Sequence, residues 1–148
     1  MSKNIGQEMG QDHFVTFYAS QTKLSQRNPG HSFQAFGVHD HVKQECRSYG
    51  AYGKYPSKQC NIFTTVSGCP GIVKSDEAHS HDNGRMVQVS QQQFQRALAA
   101  AKAPAGDYSL FKKNCVDRQN EVAKAAGLAP GDGGKPSDNF KTMQAKIP

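Results

Sequence analysis

Two residues in this sequence have the chemistry and the setting to act on a substrate, and they are Cys115 and His31. Cys115 sits in Tyr108-Ser109-Leu110-Phe111-Lys112-Lys113-Asn114-Cys115-Val116-Asp117, where an apolar run ends and a helical pattern begins. The first backbone N–H groups of a helix have no partner within it and carry partial positive charge, so a sulfur placed there is biased toward thiolate, the attacking form. His31 opens the alternating stretch Gly30-His31-Ser32-Phe33-Gln34-Ala35-Phe36-Gly37 and has the chemistry to be that thiol's base or its imidazolium partner. A thiol and an imidazole brought together in this way attack acyl carbonyls.

Positioning such a pair needs a strand for the histidine and a helix start for the cysteine. Residues 13 to 18, aromatic and β-branched, predict one strand; residues 25 to 30, dense in turn formers, lead into a second. On that second strand His31 shares a face with Phe33, Ala35 and Gly37, while Ser32, Gln34, Phe36 and Val38 take the other. Residues 49 to 56 predict a glycine-interrupted strand, 61 to 66 another short strand, Cys69-Pro70-Gly71-Ile72 a turn, and 85 to 89 a further strand after a polar loop over 74 to 84. Ser90 and Gln93 form a capping box, and Phe94, Ala97, Leu98 and Ala101 make one apolar stripe on a helix that must end before Pro104. Asn114 is placed to cap the cysteine helix, on which Val116, Val122, Ala123 and Ala126 line one side until Gly127 stops it. A last helix is expected from Ser137 through Phe140 and Met143.

Length and composition bound the rest. With 148 residues and 36% apolar content the chain supports one modest core, read as a single domain over residues 1 to 148. No stretch has the apolar length of a membrane span, and the first residues lack the apolar segment of a secretory signal. The 18 basic against 12 acidic residues give a net charge of +6, suited to an anionic surface or polymer. Those charges are scattered and not interleaved with aromatics, so nucleic acid is not the expected partner. Cys46, Cys60, Cys69 and Cys115 lack the spacing of a structural zinc set; Cys60 with Cys69 is one possible disulfide, which sequence does not select. His39 with His41, and His79 with His81, place imidazoles two apart as a metal pair would be, yet polar loops collect histidines without that role; no metal and no cofactor is assigned. Tyr49, Tyr52 and Tyr55 read as sheet packing and cleft lining.

The Gly30-His31-Ser32-Phe33 motif, followed by several strands, then Asn114-Cys115-Val116-Asp117 opening a helix that ends Ala125-Ala126-Gly127-Leu128, resembles the circularly permuted NlpC/P60 group of papain-like cysteine hydrolases across about residues 13 to 130. The resemblance implies an α+β fold, a small antiparallel sheet packed against the cysteine helix. It also implies Cys115 as nucleophile, His31 as base, and a third polar group to orient the imidazole. For that group the sequence offers Asn61 first, then Asp40 and His41. The sequence departs from the family twice: the stretch from Arg47 to Pro56, where that third group would be expected, offers mainly tyrosines, and Arg118-Gln119 stand where apolar or aromatic residues would be expected to anchor the helix.

What the resemblance implies about function is hydrolysis of an amide in the peptide stems of peptidoglycan. The implied setting is an antibacterial effector exported without a leader by a type VI route, acting in a target-cell periplasm alongside a cognate immunity protein. Two spare cysteines could bridge after delivery there. Lipid acyl hydrolysis or transfer, protein deamidation and a non-catalytic binding domain are the alternatives. The lipid reading wants an exposed apolar patch, and no apolar run adjoins Cys115.

Overall fold

The computed structural model describes residues 10–20, 30–77 and 81–148. The first residues, most of the turn expected over 25 to 30, and His79 lie outside the described residues. The fold is α+β: six antiparallel strands in one sheet and, among the described residues, four helices. In chain order these are β1 (Gln11–Ser20), β2 (His31–Asp40), β3 (Glu45–Pro56), α1 (Ile62–Ser67), β4 (Cys69–Ser75), β5 (Asn83–Val89), α2 (Gln91–Lys102), β6 (Asp107–Tyr108), α3 (Cys115–Ala125) and α4 (Pro136–Lys146). The strands lie in the order β5-β1-β2-β3-β4-β6.

Alternation along β1 and β2 decides where the helices pack. Val15, Phe17 and Ala19 of β1 and Phe36 and Val38 of β2 face one side, where they meet Phe94, Ala97 and Ala101 of α2, Val122 and Ala123 of α3, and Phe140 and Met143 of α4. Full burial of one such side chain contributes about 1.5–3 kcal/mol, so this layer carries much of the fold's stability. The apolar stripe on α2, the expected Ser90–Gln93 capping box and the expected Asn114 cap are present: Ser90 Oγ accepts from the Gln93 N–H at 3.1 Å, and Asn114 Oδ1 accepts from the Val116 N–H at 2.9 Å. Gly127, at φ +77°, lies past the end of α3, where a left-handed backbone closes the last turn.

Three local expectations are corrected. Residues 61 to 66 are not a strand but the start of α1, because Asn61 and Thr64 form a capping box that overrides the β-prone Ile62-Phe63-Thr64-Thr65-Val66 run. Cys69 to Ile72 is not a turn; it begins β4, tied to the preceding segment by a Cys60–Cys69 disulfide. The polar stretch expected as loop from residue 74 is shorter, since Lys74 and Ser75 still pair with β3.

The Arg118-Gln119 pair does not loosen α3. Arg118 is buried and its guanidinium donates to the carbonyls of Ala100 (2.9 Å), Ala103 (2.8 Å) and Pro104 (3.0 Å), satisfying the orphan carbonyls at the end of α2. Gln119, fully buried, donates through Nε2 to the carbonyls of Tyr18 and Phe33, each at 3.0 Å. Tyr18 and Phe33 are cross-strand partners, so one amide pins α3 to both β1 and β2. Polar contacts to backbone do here what apolar packing was expected to do.

Candidate active site

His31 is the first residue of β2, and Cys115 is the first residue of α3. The Gln119 anchor sets how α3 lies over β2: Cys115 lies one helical turn before Gln119 on the same helix face, while Gln119 holds the Phe33 carbonyl two residues beyond His31. The result brings the sulfur to the start of β2, where the backbone N–H of Ser32 is directed at it, together with the N–H groups of Cys115 and Val116. The nucleophile candidate therefore sits beside the residue that follows the base candidate.

The imidazole is held by a carboxylate. His31 Nε2 lies 2.9 Å from Asp76 Oδ2, with both side chains buried. Asp76 follows the last residue of β4 and is tied there by its backbone N–H, which donates to Ala51 O at 2.8 Å. Its other oxygen, Oδ1, accepts from the Tyr55 hydroxyl. The Tyr55 ring also stacks on His31, with centroids 4.3 Å apart, as does the Phe33 ring at 5.6 Å. Burial first, then the hydrogen bond to Asp76, pushes the Tyr55 phenol well above its ordinary range, so it remains a donor.

The orienting group expected at Asn61 is thus corrected. The Asn61 carbonyl oxygen is engaged by the N–H groups of Phe63 and Thr64, so its side chain serves α1. Asp40 and His41 fare no better, because β2 is ten residues long and they lie at its other end, about 30 Å from His31. There Asp40 Oδ1 caps the turn through the N–H groups of Val42 and Lys43, and His41 contacts Asp12. Sequence reasoning missed Asp76 because it lies 45 positions from His31 in a polar segment; the signal that could have found it is an acidic residue at the end of a strand pairing with the Tyr55 strand.

The thiol is not poised as expected from its helix position. Burial pushes Cys115 up to about 11, against the opposing pull of the N–H groups of Ser32, Cys115 and Val116. Desolvation outweighs the helix terminus, and the sulfur rests as the thiol. Tyr108, buried beside it, is pushed up to about 12 by the same desolvation, with the sulfur's charge a smaller cause.

Cys115 nonetheless borders open space. A cleft of about 340 Å³ is lined by Gly30, Tyr108, Leu110, Phe111, Val116 and Pro136 together with the sulfur's own residue. Exposed apolar residues also lie on two segments that folding brings together. Helix α1 lies against the loop before α3 through Leu110 N–H to Thr65 O at 2.9 Å and Ser109 Oγ to Val66 O at 3.2 Å. Phe111, which lines the cleft, is 76% exposed, and Ile62 and Phe63 on α1 are exposed at 79% and 81%.

Comparison with protein-family models, with curated proteins and with solved structures finds no match to this chain. No helix among the described residues is long and apolar enough to cross a membrane.

Proposed function

We propose that this protein is a cysteine hydrolase of permuted papain-like architecture whose working residues are Cys115, His31 and Asp76. The observation that carries the reading is the buried His31–Asp76 pair at the start of the strand whose next N–H, that of Ser32, is aimed at the Cys115 sulfur. In the chain the order is histidine, carboxylate, cysteine, as a permuted arrangement requires.

The chemistry follows from those positions. With Nε2 held by Asp76, the proton of the thiol passes to Nδ1 as sulfur bonds to the substrate carbonyl carbon and the carbonyl π electrons move to oxygen. The Asn114 side chain takes the N–H groups of Val116 and Asp117, so within the first turn of α3 the Cys115 N–H is the donor left to that oxyanion, an effect worth about 10²–10³ in rate when one such donor is removed elsewhere. Collapse expels the amine, which takes the proton from His31. Water then attacks the acyl-sulfur carbonyl, giving its proton to the imidazole, and the acid leaves as the thiol re-forms. Because the sulfur rests protonated, His31 acts as a general base at attack, not as the standing half of an ion pair.

The substrate proposed is an amide of a peptidoglycan stem peptide, reached by an exported antibacterial protein in a target-cell periplasm, with an immunity protein as cognate inhibitor. The net charge of +6 suits an anionic envelope, and the Cys60–Cys69 disulfide suits an oxidising compartment. A second reading, lipid acyl hydrolysis or transfer, is favoured by a specific observation: exposed Phe111 lines the cleft, and α1, which is hydrogen-bonded to the same loop, carries exposed Ile62 and Phe63.

One experiment separates these. The protein and its Cys115→Ala variant are incubated with purified peptidoglycan and with phospholipid vesicles, and the products are read by mass spectrometry. Stem-peptide fragments that the variant does not release establish the first reading, and lysolipid establishes the second. No product from either substrate favours a binding module that keeps the fold without turnover.

A further inference from the structure

At the end of β2 opposite His31, three potential metal ligands converge on one side of the sheet. Asp12 of β1 is the cross-strand partner of His39, and His41 follows two residues on. One ligand atom from each of Asp12, His39 and His41 lies within 4.8 Å of the others. The two imidazoles meet edge to face with centroids 4.6 Å apart, and His41 Nε2 contacts Asp12 Oδ2. We propose that Asp12, His39 and His41 form a binding site for a divalent transition metal of the zinc class.

The backbone is already fixed around these side chains. The His41 N–H donates to Gly10 O at 2.7 Å, extending the β1–β2 ladder past the strand end. Asp40 Oδ1 accepts from the N–H groups of Val42 and Lys43 at 2.9 and 3.0 Å, and Gln44 Nε2 donates to His41 O at 2.8 Å, so the turn beneath the second histidine is closed. Zinc binds nitrogen and carboxylate oxygen at about 2.0–2.2 Å, which places tetrahedral ligand atoms about 3.3 Å from one another. From mutual separations under 4.8 Å, side-chain rotation suffices to reach that geometry. Two imidazoles and one carboxylate are a borderline donor set, suited to zinc and its first-row neighbours and unsuited to calcium or magnesium, which prefer all-oxygen shells. Solvent supplies the fourth position, since the His41 side chain is 51% exposed. An ion pair between Asp12 and His41 alone would need no second imidazole.

The test uses the full chain, free of any affinity tag and carrying C46S and C115A, so that neither the exposed thiol across from His39 nor the buried one at the start of α3 can contribute. Zinc chloride is titrated by calorimetry, and cobalt(II) is titrated with its visible spectrum recorded. The proposal expects one equivalent of zinc bound and the intense visible bands of four-coordinate cobalt. His39→Ala and His41→Ala should each weaken binding by about tenfold or more, and His81→Ala should leave it unchanged. Circular dichroism confirms that each variant is folded, which the surface position of these side chains favours. Absence of binding, or binding that survives loss of both His39 and His41, overturns the site.

Discussion

Gly53 and Asp76 approach so closely that a β-carbon on Gly53 would stand 2.0 Å from Asp76 Oδ2 and 2.5 Å from His31 Nε2. Gly53 is paired with Phe33 on one side and Lys74 on the other, at the centre of three strands, so its backbone cannot yield to make room. The hydrogen bond between histidine and carboxylate therefore occupies the space a side chain would fill. Gly53→Ala should displace Asp76 from His31 and lower turnover on the identified substrate by about tenfold or more, within the range that loss of imidazole orientation costs in other triads. Steady-state kinetics of the purified variant, with circular dichroism to show that the sheet is intact, measures this. Unaltered turnover would place the His31–Asp76 contact outside the mechanism.

Tyr55 bears on the same contact from another side. Its hydroxyl donates to Asp76 Oδ1 while its ring covers the imidazole. Tyr55→Phe keeps the ring and removes the donor, so the stack survives and the carboxylate loses one of its two side-chain partners. A hydrogen bond to a charged group contributes about 1.5–3 kcal/mol, and its loss frees Asp76 to rotate. Nitrogen-15 shifts of the His31 ring should then move toward a mixture of tautomers, with kcat reduced and KM little changed. Tyr55→Leu, which also removes the stack, should reduce kcat further.

Much of the scaffold for this site is legible in the sequence because its signals are local. The alternation from His31 to Val38, the Ser90–Gln93 and Asn114 caps and the spacing of Phe94, Ala97 and Ala101 each specify an element without reference to distant residues, and each element forms. The errors have local causes as well. Ile62 to Val66 combines β-branched and aromatic side chains that read as strand, yet the Asn61–Thr64 capping box, also present in the sequence, selects a helix. The third polar group is a different matter. Asp76 becomes the partner of His31 only when β3 and β4 pair and Gly53 leaves space between them, a relationship with no spacing signature. The adjacency of α1, with its exposed Ile62 and Phe63, to the Phe111 loop is likewise made by segments far apart in the chain. Arg118 and Gln119 were misjudged by type, because their targets are carbonyls of other elements.

The protonation of Cys115 gives a pH prediction. Burial raises its folded-state value from an ordinary 9 to about 11, so near neutral pH the thiol holds its proton more firmly than an exposed thiol does. Iodoacetamide at pH 7 should therefore modify exposed Cys46 before Cys115, as read by peptide mass spectrometry. The Cys115 rate should climb as pH rises from 9 through 11. Stability follows the same shift. Below pH 9 folded and unfolded chains both keep this proton; between 9 and about 11 only the unfolded chain releases it, so this contribution to stability is lost as pH rises through that window. Cys115→Ala should flatten that part of the melting-temperature profile. Rapid alkylation of Cys115 at pH 6 would instead reveal a standing thiolate and restore the ion-pair mechanism.

Gln119 links fold to chemistry most directly, since its one amide nitrogen holds the carbonyls of Tyr18 and Phe33 and thereby the register of α3 over β2. Gln119→Leu keeps the volume and leaves both carbonyls buried without this donor. A buried hydrogen bond contributes about 0.5–1.5 kcal/mol net and two are lost, so a loss of about 2 kcal/mol in urea unfolding is expected. A second consequence separates register from stability. Cys115 lies one turn before Gln119, and the Ser32 N–H that is aimed at its sulfur belongs to the strand that Gln119 grips. Release of the grip should let the helix start drift from His31, so turnover well below the melting temperature should fall by about tenfold although the chain remains folded, since small misplacements of reacting groups can cost about 10²-fold. Gln119→Glu, whose carboxylate cannot donate, should act in the same direction on both readouts. If either variant lost stability while turnover per folded molecule stayed constant, the position of Cys115 would be set by the Asn114 cap alone, and Gln119 would serve packing only.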